Sequence, residues 1–414
     1  MSLKLKRGAT GDTPKKPGTQ KALRTAGILV AVVVIFFAGV GFGNGRLSLN
    51  GNTNGHQVVS SSLPDKLDYS SLNEVYQSLK DNYNGNLTQA QVIDGLKHGL
   101  AASAKDPYTV YFSAKEAKDF NDQLNNSFAG IGARLSQDDD KNLIVGEAIM
   151  GFPADKAGIK ANDIITQING TATGTLTLDD AIAKIRGPAG TKVTLQIVRD
   201  RSQTLNFTVT RQVITLPSVT SKTLDGNIGY IALGSFSPDT MSLTKAAAQK
   251  FVDAKVKGVV LDMRNDPGGL LDQAINVSSL WLPEGTRVLQ EKRGTTVTQT
   301  YEARGGDILK GVPTVVLVNE GSASAAEITA GALHDNKAAH LIGTKTYGKG
   351  VVQQLINLSG GAELKVTVAS WYRPNGENIN KKGITPDDVV KISDADAKAK
   401  TDTQLQAAQA YLNK

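Results

Sequence analysis

The chain has 414 residues, 40% hydrophobic and 21% charged, enough for two or three globular domains and incompatible with a collagen-like, coiled-coil or wholly disordered organisation. It contains no cysteine and 4 histidines, which excludes disulfide scaffolds, thiol catalysis and thiolate-bound zinc or iron–sulfur centres and leaves little for a metal. The net charge of +7 does not describe a nucleic-acid surface: residues 1–24 hold Lys4, Lys6, Arg7, Lys15, Lys16, Lys21 and Arg24 against Asp12 alone, so the excess belongs to the tail.

Residues 25–45, TAGILVAVVVIFFAGVGFGNG, carry no charge. At about 1.5 Å per residue, about 20 such residues cross a hydrocarbon core of roughly 30 Å. The basic flank assigns residues 1–24 to the cytoplasm and everything after Arg46 to the outside. The long basic stretch and the lack of a clear A-x-A site favour an uncleaved anchor over a signal peptide. The expectation is a single-pass membrane protein with an extracytoplasmic body, and an exported chain free of cysteine suits a bacterial cell surface. Residues 46–62, RLSLNGNTNGHQVVSSS, read as a flexible linker. Leu72, Val75, Tyr76, Leu79 and Tyr83, then Val92, Leu96 and Leu100, recur at helical spacing, so residues 63–127 are expected to form an N-terminal helical region.

From residue 128 to 210 the pattern changes to short β-rich runs, IGARLSQ, LIVGEAI, DIITQING and KVTLQIVRD, with one helix over Asp179–Ile185. Phe128-Ala129-Gly130-Ile131-Gly132, Pro153-Ala154, Ala157-Gly158-Ile159, Asp163-Ile164-Ile165 and Ile168-Asn169-Gly170 follow in that order. Together they resemble a PDZ domain. In such a loop, successive backbone N–H groups around Gly130, Ile131 and Gly132 form a concave anion site, beside a strand edge that accepts an extended peptide. The module implied reads a free C-terminus.

Residues 211–395 alternate buried-strand runs with helices, which implies parallel pairing through crossovers. Lys257–Met263 leads through Arg264-Asn265-Asp266-Pro267-Gly268-Gly269 into a helical pattern at Leu270–Leu282. Val312–Val318 leads through Asn319-Glu320-Gly321-Ser322 into a helix over Ala323–Leu333. His340–Thr344, Val351–Leu358 and Glu363–Trp371 read as further strands, and residues 396–414 as a C-terminal helical tail.

A serine at a strand–turn–helix junction can act as a nucleophile, because the first helical N–H groups are unpaired and the dipole is positive there. Ser324 meets that description, with the Ala325 N–H as an oxyanion donor and Gly268 or Gly269 offering a second. The plainer alternative is an N-cap, with Glu327 completing a capping box. For the base, His334 lies ten residues along the same helix, about 15 Å of rise away, and His340 leads into a buried strand. A desolvated lysine can also lose its proton near neutral pH. Lys345 and Lys349 are the candidates.

GSASAAEI followed by GTKTYGKGVVQQ resembles the carboxyl-terminal processing peptidases, or tail-specific proteases. LDMRNDPGGLLDQA, the PDZ segment, VIDGLKHGLAASAKDPYTVYFS and RPNGENINKKGITPDD extend the resemblance over residues 65–410. It implies an α/β, mixed-sheet core of the ββα, crotonase/ClpP-like type with an inserted PDZ domain. It further implies Ser324 as nucleophile, Lys349 as base and Gln353 as the residue that orients the lysine amine, with no metal or organic cofactor. The partners implied are protein or peptide substrates with exposed C-termini, the membrane through the N-terminal helix, no nucleic acid, and optionally a second copy of the chain. Arg186 is a candidate link between PDZ domain and core, or else a solvated surface arginine. The rival functions are a non-catalytic PDZ adaptor, a crotonase-like acyl-transforming enzyme and a trypsin-like envelope protease. The spacing of Ser324, Lys349 and Gln353, the exported peptide-binding module and the absence of a visible His–Asp–Ser set weigh against them in turn.

Overall fold

A computed structural model describes residues 2–5, 66–138 and 140–414. The expected anchor at 25–45 and linker at 46–62 lie outside them, and among the described residues no helix is long and apolar enough to cross a membrane. Two compact units are present. One comprises residues 66–126 and 216–414 with the strand Ser2–Leu5, the other residues 127–215.

The larger unit is built on a six-stranded sheet in the order Val219–Leu224, Ile228–Leu233, Gly258–Asp262, Thr314–Val318, His340–Gly343, Asp388–Val389. The first two strands are antiparallel and all later neighbours are parallel, as the strand–helix alternation requires. GVVLD and TVVLV are buried along their whole length, because both faces are covered. Val259, Leu261, Val316 and Val318 pack with Ala247, Ala274 and Ile328 of three helices. The alternate residues Val260, Val315 and Leu317 pack with Ala408 and Leu412 of the C-terminal helix Thr403–Leu412.

Two features depart from the sequence pattern. The helix expected over 270–282 is only Leu271–Ser278. The Ser278 and Ser279 hydroxyls donate back to the Ala274 and Ile275 carbonyls at 2.8 Å, and Pro283 follows, so the chain leaves the helix early. A second sheet contains an unforeseen hairpin, Arg287–Arg293 with Thr296–Glu302, which continues into Glu363–Tyr372 and Val351–Asn357, with Ser2–Leu5 parallel at its edge. The charges of RVLQEKR mask a strand whose Glu291 is buried and accepts a hydrogen bond from the Tyr301 hydroxyl at 2.9 Å. Val110–Phe112, from the region expected to be helical, pairs with Glu363–Tyr372 in the same sheet.

The smaller unit is an antiparallel sheet, Ala133–Gln137, Leu143–Ala148, Ile164–Ile168, Lys192–Arg199, Gln203–Thr210. The helix Leu178–Ile185 buries Ala181 and Ile185 against it. Ser127–Gly130 pairs separately with Gln212–Thr215.

Candidate active site

Parallel neighbours end at the same edge of a sheet, so the turns leaving Gly258–Asp262 and Thr314–Val318 emerge side by side, at the edge where open α/β sheets bind ligands. They are tied together across it. Asn265 N–H donates to Asn319 Oδ1 at 2.8 Å, Asn319 Nδ2 returns to Asn265 Oδ1 at 2.9 Å, Ser322 Oγ donates to the Met263 carbonyl at 2.7 Å, and Ala323 N–H to the Asp266 carbonyl at 2.9 Å. Ser322 is thus a tie between turns.

Ser324 ends the second turn at φ 54°, ψ −111°, before the helix Ala325–Asp335. Positive φ is costly for a residue with a Cβ, and strain of this kind is held only where the surroundings over-determine it. Its hydroxyl is fully buried with no hydrogen-bond partner. Its N–H donates to Glu327 Oε2 at 2.9 Å, as in half of a capping box.

Glu327 does more than cap. Its fully buried carboxylate also accepts from Lys349 N–H at 2.9 Å, Gly348 N–H at 2.7 Å and Thr346 Oγ1 at 2.5 Å. Burial pushes its pKa up and these bonds oppose the rise. Tyr347 N–H adds a bond to the Ser322 carbonyl at 3.0 Å. One carboxylate therefore gathers the turn bearing Ser324 and the loop bearing Lys349.

Lys349 is partly buried, its ammonium 4.6 Å from the centre of the Tyr108 ring. Burial, then the positive charge of Lys365, bring its pKa down to about 7, against Asp106 and Glu327. Lys345 is exposed. Gln353 is fully buried. Its Nε2 donates to the Tyr108 carbonyl and its Oε1 has no partner. No hydrogen bond joins Ser324 Oγ to the lysine amine in this arrangement. The histidines are engaged elsewhere. His334 contacts Asp335 at 3.1 Å and Asp387 at 3.0 Å, and His340 contacts Asp388 at 2.9 Å and stacks on Tyr411.

The glycine turn is fixed from both sides. Gly268 N–H donates to Asp266 Oδ1 at 2.8 Å, and the Gly268 carbonyl accepts from Phe236 N–H at 2.9 Å. Gly269 sits at φ +151°, where a Cβ would lie 2.2 Å from the Phe236 carbonyl oxygen, so only glycine fits. Asp266 is fully buried with Oδ2 unpartnered, and burial pushes its pKa up to about 8. Sequence reasoning missed Asp266 as a titrating group, because nothing in RNDPGG reveals its depth. Among the described residues no cluster of acidic and histidine side chains could hold a metal ion.

In the smaller unit, Phe128, Gly130, Ile131 and Gly132 form a strand end and the turn after it. Ile131 is buried, and Gly132 has φ +75° with the space of its Cβ filled by Phe152. Ala133–Gln137 follows as an edge strand of the sheet. The Arg186 guanidinium lies 4.8 Å from the centre of the Phe128 ring.

A sequence profile of peptidase family S41 matches residues 227–390, which include every turn from Gly268 to Gln353, and a PDZ-domain profile matches residues 144–199. The chain is 38% identical over 350 residues to the carboxy-terminal processing protease CtpA of Bacillus subtilis, covering 84% of this chain and 74% of that protein. It is 38% identical over 318 residues to the carboxyl-terminal-processing protease of Synechocystis sp., covering 75% and 74%. A putative S41 protease from Bacteroides fragilis shares the fold with a TM-score of 0.53 at 17% identity, over 84% of this chain and 98% of that one. The chain belongs to peptidase family S41, among the PDZ-containing carboxyl-terminal processing serine proteases.

Proposed function

We propose that this chain is an endopeptidase in which Ser324 is the nucleophile and Lys349 the general base, acting on extracytoplasmic proteins selected by their C-termini. The observation that carries the reading is the buried Glu327 carboxylate, which binds Ser324 N–H and Lys349 N–H through the same oxygen. Lys349 takes the Ser324 hydroxyl proton as Oγ attacks the scissile carbonyl carbon. The oxyanion is met by the Ala325 N–H at the helix start and by the Gly269 N–H, the Gly268 N–H being committed to Asp266. As the C–N bond breaks, Lys349 gives its proton to the leaving amine. Water, deprotonated by Lys349, then cleaves the acyl-enzyme and frees Ser324. Gln353 Oε1, buried and unpartnered, is the acceptor that orients the lysine amine.

The selecting element is the Phe128–Gly132 turn with the free edge of Ala133–Gln137, which supports addition of a substrate C-terminus as a further strand. Arg186, stacked on Phe128, would couple that occupancy to the core. The test uses a fragment starting near residue 47, wild type, Ser324→Ala and Lys349→Ala, with an unstructured protein ending in apolar or in charged residues. Cleavage by the wild type alone, faster for the apolar tail, is the expected result. Binding of the tail by all three forms without cleavage by any would favour the PDZ adaptor instead.

Asp266 adds a pH dependence. Protonated up to about pH 8, it is neutral beside the oxyanion donors; ionised, it sets a negative charge against the oxyanion. The rate is expected to fall above about pH 8 and Asp266→Asn to remove that fall, read from kcat against pH.

For location, the uncharged run at 25–45 supports anchoring with the peptidase outside. Ser2–Leu5 pairs with Val352–Leu355 in this structure; the anchored topology requires that edge to be free, so the pairing and the anchor are alternatives that one experiment separates. Protease added to intact cells is expected to remove the body and leave an epitope at residue 1 protected; loss of that epitope as well would overturn the anchored topology.

A further inference from the structure

The mechanism leaves one conspicuous group unused, a second withdrawn lysine next to the first. Lys365 lies in the strand Glu363–Tyr372, opposite Leu355 on one side and Val110 on the other. Side chains two apart share a face of a strand. Lys365 therefore lies on the same face as Thr367, whose partner across the ladder is Gln353. Its ammonium sits against two rings, 5.2 Å from the centre of Phe112 and 5.0 Å from that of Phe120, which stack on each other at 4.9 Å.

The segment that supplies Phe112 also reaches Lys349. It begins with Asp106, whose Oδ1 accepts from Tyr108 N–H at 3.1 Å and whose Oδ2 accepts from Thr109 Oγ1 at 2.7 Å. Tyr108 lays its ring on the Lys349 ammonium and its carbonyl on Gln353 Nε2. Thr109 Oγ1 then accepts from Thr367 N–H at 3.2 Å. This stretch lies outside the family match at residues 227–390, yet its rings meet both ammonium groups, Tyr108 that of Lys349 and Phe112 that of Lys365.

We propose that Lys365 is a positioning residue for the reaction, acting on Lys349 through its charge, with Asp106 as the opposing charge that limits the effect. The inference rests on Lys349 being the base. The titratable groups facing Lys349 are Asp106 and Tyr108 from this segment, Glu327 from the helix that follows Ser324 and Lys365 from the strand. Burial lowers Lys365 as well, to about 8, with Asp106 opposing it; in its charged form Lys365 is a positive neighbour of Lys349. Burial disfavours the Asp106 charge, but its hydrogen bonds and Lys349 hold its pKa below the ordinary value, so it is ionised there. A fixed positive neighbour favours the neutral amine and a fixed negative one the ammonium. The two therefore act on the base in opposite directions. Burial brings the acid limb of the pH profile down, and their balance shifts it.

The test compares the acid limb of kcat/KM in the full chain, wild type, Lys365→Met and Asp106→Asn, against the unstructured substrate with an apolar tail. Met keeps the unbranched apolar stem beside Phe112 and Phe120 and removes the ammonium at its end. Lys365→Met is expected to move the limb to higher pH by about half a unit or more, a loss of about threefold at pH 6.5, with the maximal rate within about a factor of two of wild type. Asp106→Asn is expected to move it to lower pH. A purely structural role would depress the maximal rate and leave the limb in place. An unmoved limb in Lys365→Met, or displacement of both variants in the same direction, overturns the inference. Lys365→Gln, checked by thermal unfolding, replaces Met if that variant does not fold. Activity surviving in Lys349→Ala would instead remove the premise, so the two failures are distinguishable.

Discussion

Alanine at Ser324 or at Lys349 is expected to lower kcat about a thousandfold or more while folding and binding of C-terminal peptides persist. Without Oγ there is no nucleophile at the junction of turn and helix. Without the lysine amine, Ser324 has no histidine to serve as base, since His334 and His340 are engaged by carboxylates. Lys349→Arg is expected to be as inactive as the alanine variant, because a guanidinium does not give up its proton in this range. Product formation over time, read by mass spectrometry of the cleaved substrate, checks all three. The two alanine effects should not add in the double variant, because either change alone removes the reacting unit.

The second large effect is expected at Glu327. Removing its carboxylate with alanine strands the N–H groups of Ser324, Gly348 and Lys349 and the hydroxyl of Thr346. An unsatisfied buried donor costs about 1–3 kcal/mol, so several kcal/mol of stability are at stake, enough to lower Tm by many degrees. Glu327→Gln separates geometry from stability. Its carbonyl oxygen still accepts from Thr346 and Gly348, but its amide opposes the two N–H donors of Ser324 and Lys349. We expect kcat to fall about a hundredfold, with a smaller loss in Tm than for alanine. Calorimetry alongside kcat/KM checks the pair. Wild-type kcat in Glu327→Gln would show that the two loops do not depend on this carboxylate for their alignment.

The core sheet was legible because its strands are buried on both faces and its helices follow at once. The turn bearing Ser324 was legible for the same reason, since a strand, a glycine-containing turn and a helix leave few other positions for a nucleophile. Glu327 was legible only as half of a capping box. Its other three partners lie 19 to 22 residues away, in a glycine-rich loop whose return path no local pattern specifies. Tyr108 is further out still: its carbonyl meets a side chain 245 residues on, in a strand of a sheet whose charged hairpin had not been foreseen. The pKa values of Lys349 and Asp266 follow from depth, and depth is a property of the assembled core. Residue type and spacing identified Lys349 as a candidate base, while its neutrality near pH 7 depends on burial and on Lys365 arriving from elsewhere, against the opposing charge of Asp106.

The central claim is that Lys349 activates Ser324. It is tested most directly by the pH dependence of Ser324 phosphonylation, followed by peptide mass spectrometry with a fluorophosphonate, in the wild type and in Lys349→Ala. The account predicts modification at Ser324 whose rate rises with pH through a titration near 7, and a slow rate without that rise in the variant. Modification at another residue, or an equal rate with and without Lys349, would contradict it.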